Sequence, residues 1–313
     1  MNLNKLGETN LFLPEIGFGC WAIGGHGYGK VDKTETLRSI DCAIDNGISF
    51  FDTANVYGFG KSEKLLGEAL GKKRDQVIIA SKCGVLWDGN GKTYKTLRPN
   101  DIKKSLHDSL IRLKTDYIDL FQIHWLDGFT AIEEIMEQLI KLRDEGKINH
   151  IGCSNFSSLE INSFQNFGRL ETIQTQYNIV QKNELDQINN VCKSYKMGII
   201  IYSLLGRGLL TGGYELDSTF GENDTRSQMR NTTPEIYAKF IVVSKKIALV
   251  SKYFDISPGQ LLIKLSLLNN SIISRLIGFT NVRYIKECIK ATTLSFSNTD
   301  LLYINKELNS ELL

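Results

Sequence analysis

Four side chains able to move or steer a proton stand at or beside the ends of three apolar runs. Asp52 closes Ile48-Ser49-Phe50-Phe51, Lys82 closes Val77-Ile78-Ile79-Ala80-Ser81, and His124 closes Ile118 to Ile123. Tyr57 follows Asp52 across a short polar turn. A charged group at the tip of a buried strand is expensive unless it is paired or used. A free tyrosine, with a pKa of about 10, is a poor proton donor at neutral pH. An ammonium at Lys82 is expected to lower that pKa, and a carboxylate at Asp52 to keep Lys82 charged and in place. His124 can hydrogen-bond a substrate oxygen or pass a proton to Tyr57. Taken singly, each residue has a structural explanation as a strand-end polar group satisfied by backbone. Together they form a set suited to proton transfer.

No metal is expected in this set. His26, His107, His124 and His150 are not spaced as ligands, and no cysteine joins them.

The elements that must position these groups repeat along the chain. Lys5 to Leu13, with Gly7 and Asn10 as turn formers, reads as a short hairpin. Pro14 to Trp21 reads as a first strand, running into the glycine-rich stretch Gly24 to Gly29. Leu37, Ile40 and Ile44 then make a helical stripe closed by Asn46-Gly47 before the Asp52 strand. Leu65, Leu66 and Leu70 mark the helix before the Lys82 strand. Asn100 is placed to cap a helix carrying Ile102, Leu106, Leu110 and Leu113. Ile132 to Leu142 is the next helix. Further strands read at Ile148 to Gly152, Ile173 to Gln176, Ile199 to Tyr202 and Arg275 to Gly278, and Thr211 to Pro234 reads as a mobile loop over the site.

Eight strands alternating with amphipathic helices predict a closed (β/α)8 TIM barrel, residues 1–313 forming one domain, with its site at the C-terminal strand ends. The competing architecture is an open doubly wound sheet. Gly17-x-Gly19-x-x-Ala22 matches a loose dinucleotide fingerprint, but no helix opens at Ala22, so the match reads as accidental. Gly60-Lys61-Ser62 resembles the end of a phosphate loop without its upstream glycine. It reads as the turn opening the next helix.

A chain of 313 residues with 42% hydrophobic and 23% charged residues can bury a large core. A net charge of +2 gives no reason to expect a nucleic-acid partner. The apolar stretch Leu261 to Phe279 is broken by Lys264, Asn269, Asn270 and Arg275, so no membrane partner is expected. The six cysteines form no framework and the first residues lack an apolar signal region; reduced thiols and a cytoplasmic location are the expectation.

The sequence resembles the aldo-keto reductases. Phe51-Asp52-Thr53-Ala54-x-x-Tyr57-Gly58 looks like their second-strand motif, followed by Gly60-x-Ser62-Glu63-x-Leu65-Leu66-Gly67. Ser81-Lys82, Asp116 to Trp125, Gly152-x-Ser154-Asn155-Phe156, Gln176-Tyr177-Asn178 and Tyr202 to Gly212 continue it over nearly the whole chain. The Trp21 to Gly25 loop is most similar to a bacterial branch that also resembles potassium-channel β subunits. The resemblance implies Asp52, Tyr57, Lys82 and His124 as a catalytic tetrad. The implied reaction is reduction of an aldehyde or ketone by direct hydride transfer from NADPH, with NADH open, and with Tyr57 as the general acid.

The resemblance also implies cofactor residues. Trp21 belongs to this set; Ser154, Asn155 and Gln176 would hold the nicotinamide carboxamide and Tyr202 would stack on its ring. Ser203, Leu205, Gly206 and Arg207 would form the pyrophosphate loop. Gly278, Thr280, Asn281, Arg283 and Glu287 would meet the adenosine end, where the start of a helix suits a 2′-phosphate. Thr280 stands where a basic residue is frequent in the family, and Cys288 where asparagine is frequent. Leu126 and Leu204 replace common prolines.

Trp21, Ile23, Tyr28, Trp87 and Trp125 predict an aromatic-lined pocket for a small-molecule carbonyl substrate. Loop packing is an equal reading for Trp87. Small aldehydes and keto sugars both remain open, as does assembly into a homo-oligomer. Two alternatives stand beside the reductase: a cofactor-sensing regulatory subunit, and a sugar-biosynthetic ketoreductase acting on a nucleotide-linked keto sugar.

Overall fold

Apolar side chains on both faces of a strand require cover on both faces, and the chain meets this by closing its sheet. The computed structural model describes residues 1–29, 31–221 and 224–308. Its barrel strands are β1 (Ile16–Gly19), β2 (Phe50–Asp52), β3 (Ile78–Cys83), β4 (Ile118–Ile123), β5 (Ile148–Ser154), β6 (Thr172–Gln176), β7 (Gly198–Tyr202) and β8 (Ile272–Gly278). Each pairs in parallel with the next, and β8 returns to β1 with Gly278 opposite Gly19, so the eight strands close a (β/α)8 barrel.

Around it lie α1 (Lys33–Asp45), α2 (Lys61–Leu70), α3 (Pro99–Leu113), α4 (Ile132–Asp144), α5 (Ser158–Gln165) and α6 (Asn183–Ser194). After β7 come α7 (Thr225–Thr232), α8 (Pro234–Tyr253) and α9 (Pro258–Leu267), and after β8 come α10 (Val282–Thr293) and α11 (Asn298–Leu308). Among the described residues, no helix is long and apolar enough to cross a membrane.

Strand alternation sorts the side chains. Phe51 points outward and stacks on Phe18 at 5.3 Å, in the core shared by barrel and helices. Phe50, Ala80, Leu120, Ile200 and Leu276 point inward and fill the lumen. An antiparallel hairpin, Leu3–Lys5 with Phe12–Pro14, sets Leu6 and Leu13 against that inner cluster. Burying each leucine completely contributes roughly 2 kcal/mol. An added Cβ at Gly17 would stand 2.7 Å from the Phe50 ring, so this glycine serves packing inside β1. The apparent dinucleotide fingerprint is a barrel-packing feature.

Local details depart from the sequence reading. Pro14 ends the hairpin and β1 begins at Ile16. Asn100 does not cap α3: Arg98 is the N-cap and Pro99 opens the helix, its fixed φ and missing N–H suiting the first turn. A second hairpin, Val85–Trp87 with Thr93–Lys95, follows β3 and was not foreseen. The interval expected as a mobile loop holds α7, capped by Asp224 and tied to the glycine-rich stretch by Thr225 N donating to Gly27 O at 3.0 Å. Residues 222 and 223 of that interval lie outside the described residues.

Candidate active site

Above the apolar layers of the lumen lies a polar one, built because residues at the C-terminal ends of adjacent strands turn inward together. Asp52 ends β2 and Lys82 lies on neighbouring β3; they are 3% and 0% exposed. Lys82 Nζ donates to Asp52 Oδ2 at 2.7 Å, to Thr53 O at 2.9 Å and to Tyr57 Oη at 3.2 Å. The three donors of the ammonium are thereby used. The other carboxylate oxygen, Asp52 Oδ1, accepts from Gln174 Nε2 at 2.6 Å and Gln122 Nε2 at 3.3 Å. Removing an ion pair from water carries a large penalty unless the remaining polar valences are met, and here they are. Gln122 and Gln174 have no place in the predicted set. Gln122 has a signal, an amide two residues before His124 in a mostly apolar strand, while Gln174 lies in a strand of mixed polar residues and has none.

Tyr57 is held by its turn. Gly58 has φ +57°, and a Cβ there would come within 2.1 Å of Gly24 O. The Tyr57 turn and the Trp21–Gly24 segment therefore touch backbone to backbone, which only glycine allows. Behind the turn, Ser62 Oγ donates to Cys20 O at 2.8 Å and meets Thr53 Oγ1 at 2.9 Å. Glu63, fully buried, accepts from Ser81 Oγ and from Arg112 Nε, each at 2.6 Å. These bonds tie α2 to β3 and α3, which fixes where the tyrosine stands.

The electrostatics correct one expectation. The Tyr57 phenol is pushed well above its ordinary range, first by burial, then by the negative charge of Asp52, with Cys20 and Tyr28 adding to it. The net shift is thus upward although Lys82 lies 3.2 Å from the phenol, its ammonium being paired with Asp52 at 2.7 Å. His124 is held well below its ordinary value by burial first, then by the charges of Lys82 and Lys95. Its imidazole is therefore neutral at neutral pH. Its Nδ1 is buried without a hydrogen-bond partner, and its ring meets Tyr57 edge-on at 5.9 Å.

Across the barrel, Asn155 has φ +62°, and its amide bridges the site: Nδ2 donates to His124 O and Ser154 Oγ, while Oδ1 accepts from Tyr202 Oη at 2.7 Å. Ser154 Oγ in turn donates to Gln174 O. Gln176 points elsewhere, its amide bonded to Gln181. After β7 the backbone takes positive φ at Ser203, Gly206, Arg207 and Gly208, beside Leu205. Gly206 N and Gly208 N close this turn on Ser203 O and Leu205 O, each at 2.9 Å. Arg207 Nη1 donates to Thr225 O at 3.1 Å, and its guanidinium lies 5.9 Å from the Trp21 ring.

At β8, Gly278 and Thr280 are exposed at the strand end. Asn281 caps α10, accepting from Tyr284 N at 3.3 Å, and Arg283 is paired with Glu287 at 2.9 Å.

The predicted pocket is brought together in part. Tyr28, Trp21, Tyr57, His124 and Trp125 form a run of neighbouring rings with centroids 5.1 to 6.4 Å apart. Ile23 is withdrawn from it: at 1% exposure it belongs to the core outside the barrel and supports the Trp21 segment. Trp87 packs on Phe59 and lies under the Arg112 guanidinium, on the shoulder of the site. Lys95, from the unforeseen hairpin, places its ammonium 5.0 Å from the Trp125 ring.

Comparison with known proteins bears on the family and the fold. The Aldo/keto reductase family model matches residues 15–308. The chain is 39% identical over 229 residues to aldo-keto reductase YhdN of Bacillus subtilis, covering 72% of this chain and 69% of that one. It is 32% identical over 310 residues to the NADH-specific methylglyoxal reductase of Escherichia coli, covering 94% of each. The solved glycerol dehydrogenase AKR11B4 from Gluconobacter oxydans superimposes with a TM-score of 0.86 at 31% identity, over 98% of this chain and 94% of that one.

Proposed function

The chain belongs to the aldo/keto reductase family and is an oxidoreductase acting on carbonyl groups, and from that premise we propose that Tyr57 protonates the oxygen of a small aldehyde or ketone as its carbon is reduced. The observation that carries this reading is the hydrogen-bonded chain Asp52–Lys82–Tyr57 at the C-terminal rim of the barrel. A bound reduced nicotinamide would supply the hydride; the resemblance in sequence implies NADPH, with NADH open.

The roles follow from donor bookkeeping. Lys82 donates to Tyr57 Oη, so the phenolic hydrogen points away from Lys82 and is free for a substrate oxygen. Burial keeps that hydrogen on the phenol while nothing reacts. When the substrate oxygen takes it, the phenolate left behind faces an ammonium 3.2 Å away, an interaction much stronger after transfer than before. Asp52, steadied by Gln122 and Gln174, keeps that ammonium in place. His124 is neutral, so it can donate one hydrogen bond to the same oxygen without adding a second positive charge.

Ser154 and Asn155 are assigned to the nicotinamide amide, and Tyr202 to its ring face. Gln176 joins them only by releasing Gln181. The ring run from Tyr28 to Trp125 suits a small substrate with an apolar flank, and the methylglyoxal reductase among the relatives is in keeping with a small aldehyde.

Tyr57→Phe tests the proposal. The variant is expected to bind the dinucleotide with unchanged affinity, by titration of intrinsic fluorescence, and to lose at least about a hundredfold in kcat, the size of a general-acid contribution. Full turnover by this variant would sink the assignment.

A further inference from the structure

The start of α10 carries a negative charge of its own. Glu35 lies in the first turn of α1, and its Oε1 reaches across to accept from Val282 N at 3.1 Å. Asn281 Oδ1 accepts from Tyr284 N at 3.3 Å. Two of the N–H groups that a helix start offers to an anion are therefore taken, one of them by a carboxylate. The resemblance in sequence places the phosphate on the adenosine 2′ position at this spot.

The nearby cations do not offset that carboxylate. Arg283 donates to Glu287 and its side chain is 83% exposed, directed into solvent. Arg38 stands 3.9 Å from Glu35 Oε2 with its side chain 72% exposed, a loose surface pair of little energy. Thr280 offers only a hydroxyl. A dianionic phosphate here would meet a carboxylate, find two of the amides occupied, and gain only solvent-exposed cations already paired with carboxylates. The residues do not fit a 2′-phosphate. A ribose 2′-hydroxyl fits them well, because a carboxylate accepts hydrogen bonds from hydroxyls and Glu35 has lone pairs to spare.

We infer that Glu35 makes this protein select NADH and reject NADPH, its carboxylate accepting the ribose 2′-hydroxyl where a phosphate would be repelled. This rests on the reading above, in which the dinucleotide lies over the C-terminal strand ends with its adenosine at α10.

The test is direct binding of NADH and of NADPH to the purified full-length chain, by fluorescence quenching and by calorimetry, without turnover. NADH is expected to bind more tightly by about tenfold or more, equivalent to roughly 1.4 kcal/mol. In Glu35→Gln the amide oxygen can still accept from Val282 N, so the helix start survives. This variant is expected to tighten NADPH binding severalfold and to weaken NADH binding severalfold, because its amide keeps the contact to Val282 N but no longer offers a charged acceptor to the 2′-hydroxyl. Wild-type protein that binds NADPH as tightly as NADH overturns the inference, whether or not the variant folds. So does a Glu35→Gln variant in which both dinucleotides shift by the same factor. Binding of neither dinucleotide would overturn the placement of the cofactor and this inference with it.

Discussion

Replacing Lys82 by Met separates what the buried ion pair does for stability from what it does for chemistry. Lys82 is fully buried and its ammonium makes three bonds, at 2.7, 2.9 and 3.2 Å. Removing it strands the Asp52 carboxylate, which breaking a buried pair puts at about 3–5 kcal/mol of lost stability. It also leaves Thr53 O without that donor, about 1 kcal/mol more. Gln174 and Gln122 still hold Asp52 Oδ1, which draws the total toward the lower end, about 3 kcal/mol. Asp52→Asn alone strands the ammonium and is expected to cost a similar amount. The double variant Asp52→Asn/Lys82→Met buries no charge and retains an acceptor for Gln174. It should lie within about 2 kcal/mol of wild type, well short of the sum of its parts. Urea unfolding of the four proteins, with m checked for constancy, reads this directly. Turnover should not recover in the double variant, because no cation then meets the developing phenolate; a loss of about a hundredfold or more is expected. Single-variant effects that add to within about 0.5 kcal/mol would refute the pairing argument, and a double variant with restored turnover would refute the catalytic one.

Protonation of His124 predicts a pH dependence of stability. Its folded pKa is depressed below the unfolded value of about 6.5, so above that pH both states are neutral and nothing is lost. Below it the unfolded chain takes up a proton that the folded chain refuses, and stability falls as pH falls, by at most about 1.4 kcal/mol per unit. The ring is partly reached by solvent, so the slope should be smaller than that limit, and His124→Gln should flatten it between about pH 6.5 and 5; an unchanged slope would show that the imidazole is not refused its proton. Gly58→Ala adds a Cβ within 2.1 Å of Gly24 O at φ +57°, whereas Gly29→Ala, at φ +89°, meets nothing within 4 Å. Both carry the backbone penalty of about 1–2 kcal/mol, but only Gly58→Ala should displace Tyr57 and lower kcat, by about tenfold or more. Equal kinetic effects in the two variants would show that the backbone contact does not position the tyrosine.

The parts of this molecule that the sequence makes legible are those whose burial is symmetrical. Most barrel strands are short and rich in apolar residues, and β4 is legible from Ile118 to Ile123 despite Asp119, whereas β6, Thr172–Gln176, is buried but mostly polar in sequence. The Val85–Lys95 hairpin escapes because its second strand, Thr93 to Lys95, is exposed, so no apolar alternation marks it. Helix α7, Thr225–Thr232, has no buried residue and owes its start to the Asp224 cap and its place to Gly27 and Arg207. At the site, the strand-end residues are readable because charge at the end of an apolar run is conspicuous. Gln122 and Gln174 are harder to read, since a neutral amide in a strand can equally face outward. Glu35 is unreadable for a different reason. Its sequence setting is that of an ordinary acidic residue in a first helical turn, while the N–H it meets is 247 residues away.

If Tyr57 is the acid as proposed, the polar layer also accounts for how one phenol holds its proton at rest and releases it during reaction. Burial and the Asp52 charge both hold the proton on Tyr57, and the Lys82 charge is paired with Asp52. Transfer of the proton changes that balance without moving any protein atom far. The new phenolate is then a second anion beside an ammonium already aligned by Asp52 and Thr53 O, in a lumen where Gln122 and Gln174 stand in for water. Little reorganisation is left for the reacting complex to drive, which is where fixed dipoles outperform solvent. The expense of burying the pair falls on the folded state, and the long apolar layers beneath it, from Phe50 down to Leu6 and Leu13, are what allow the fold to carry it. A barrel with a thinner apolar floor could hold the same four side chains, but it would have less stability to set against their desolvation.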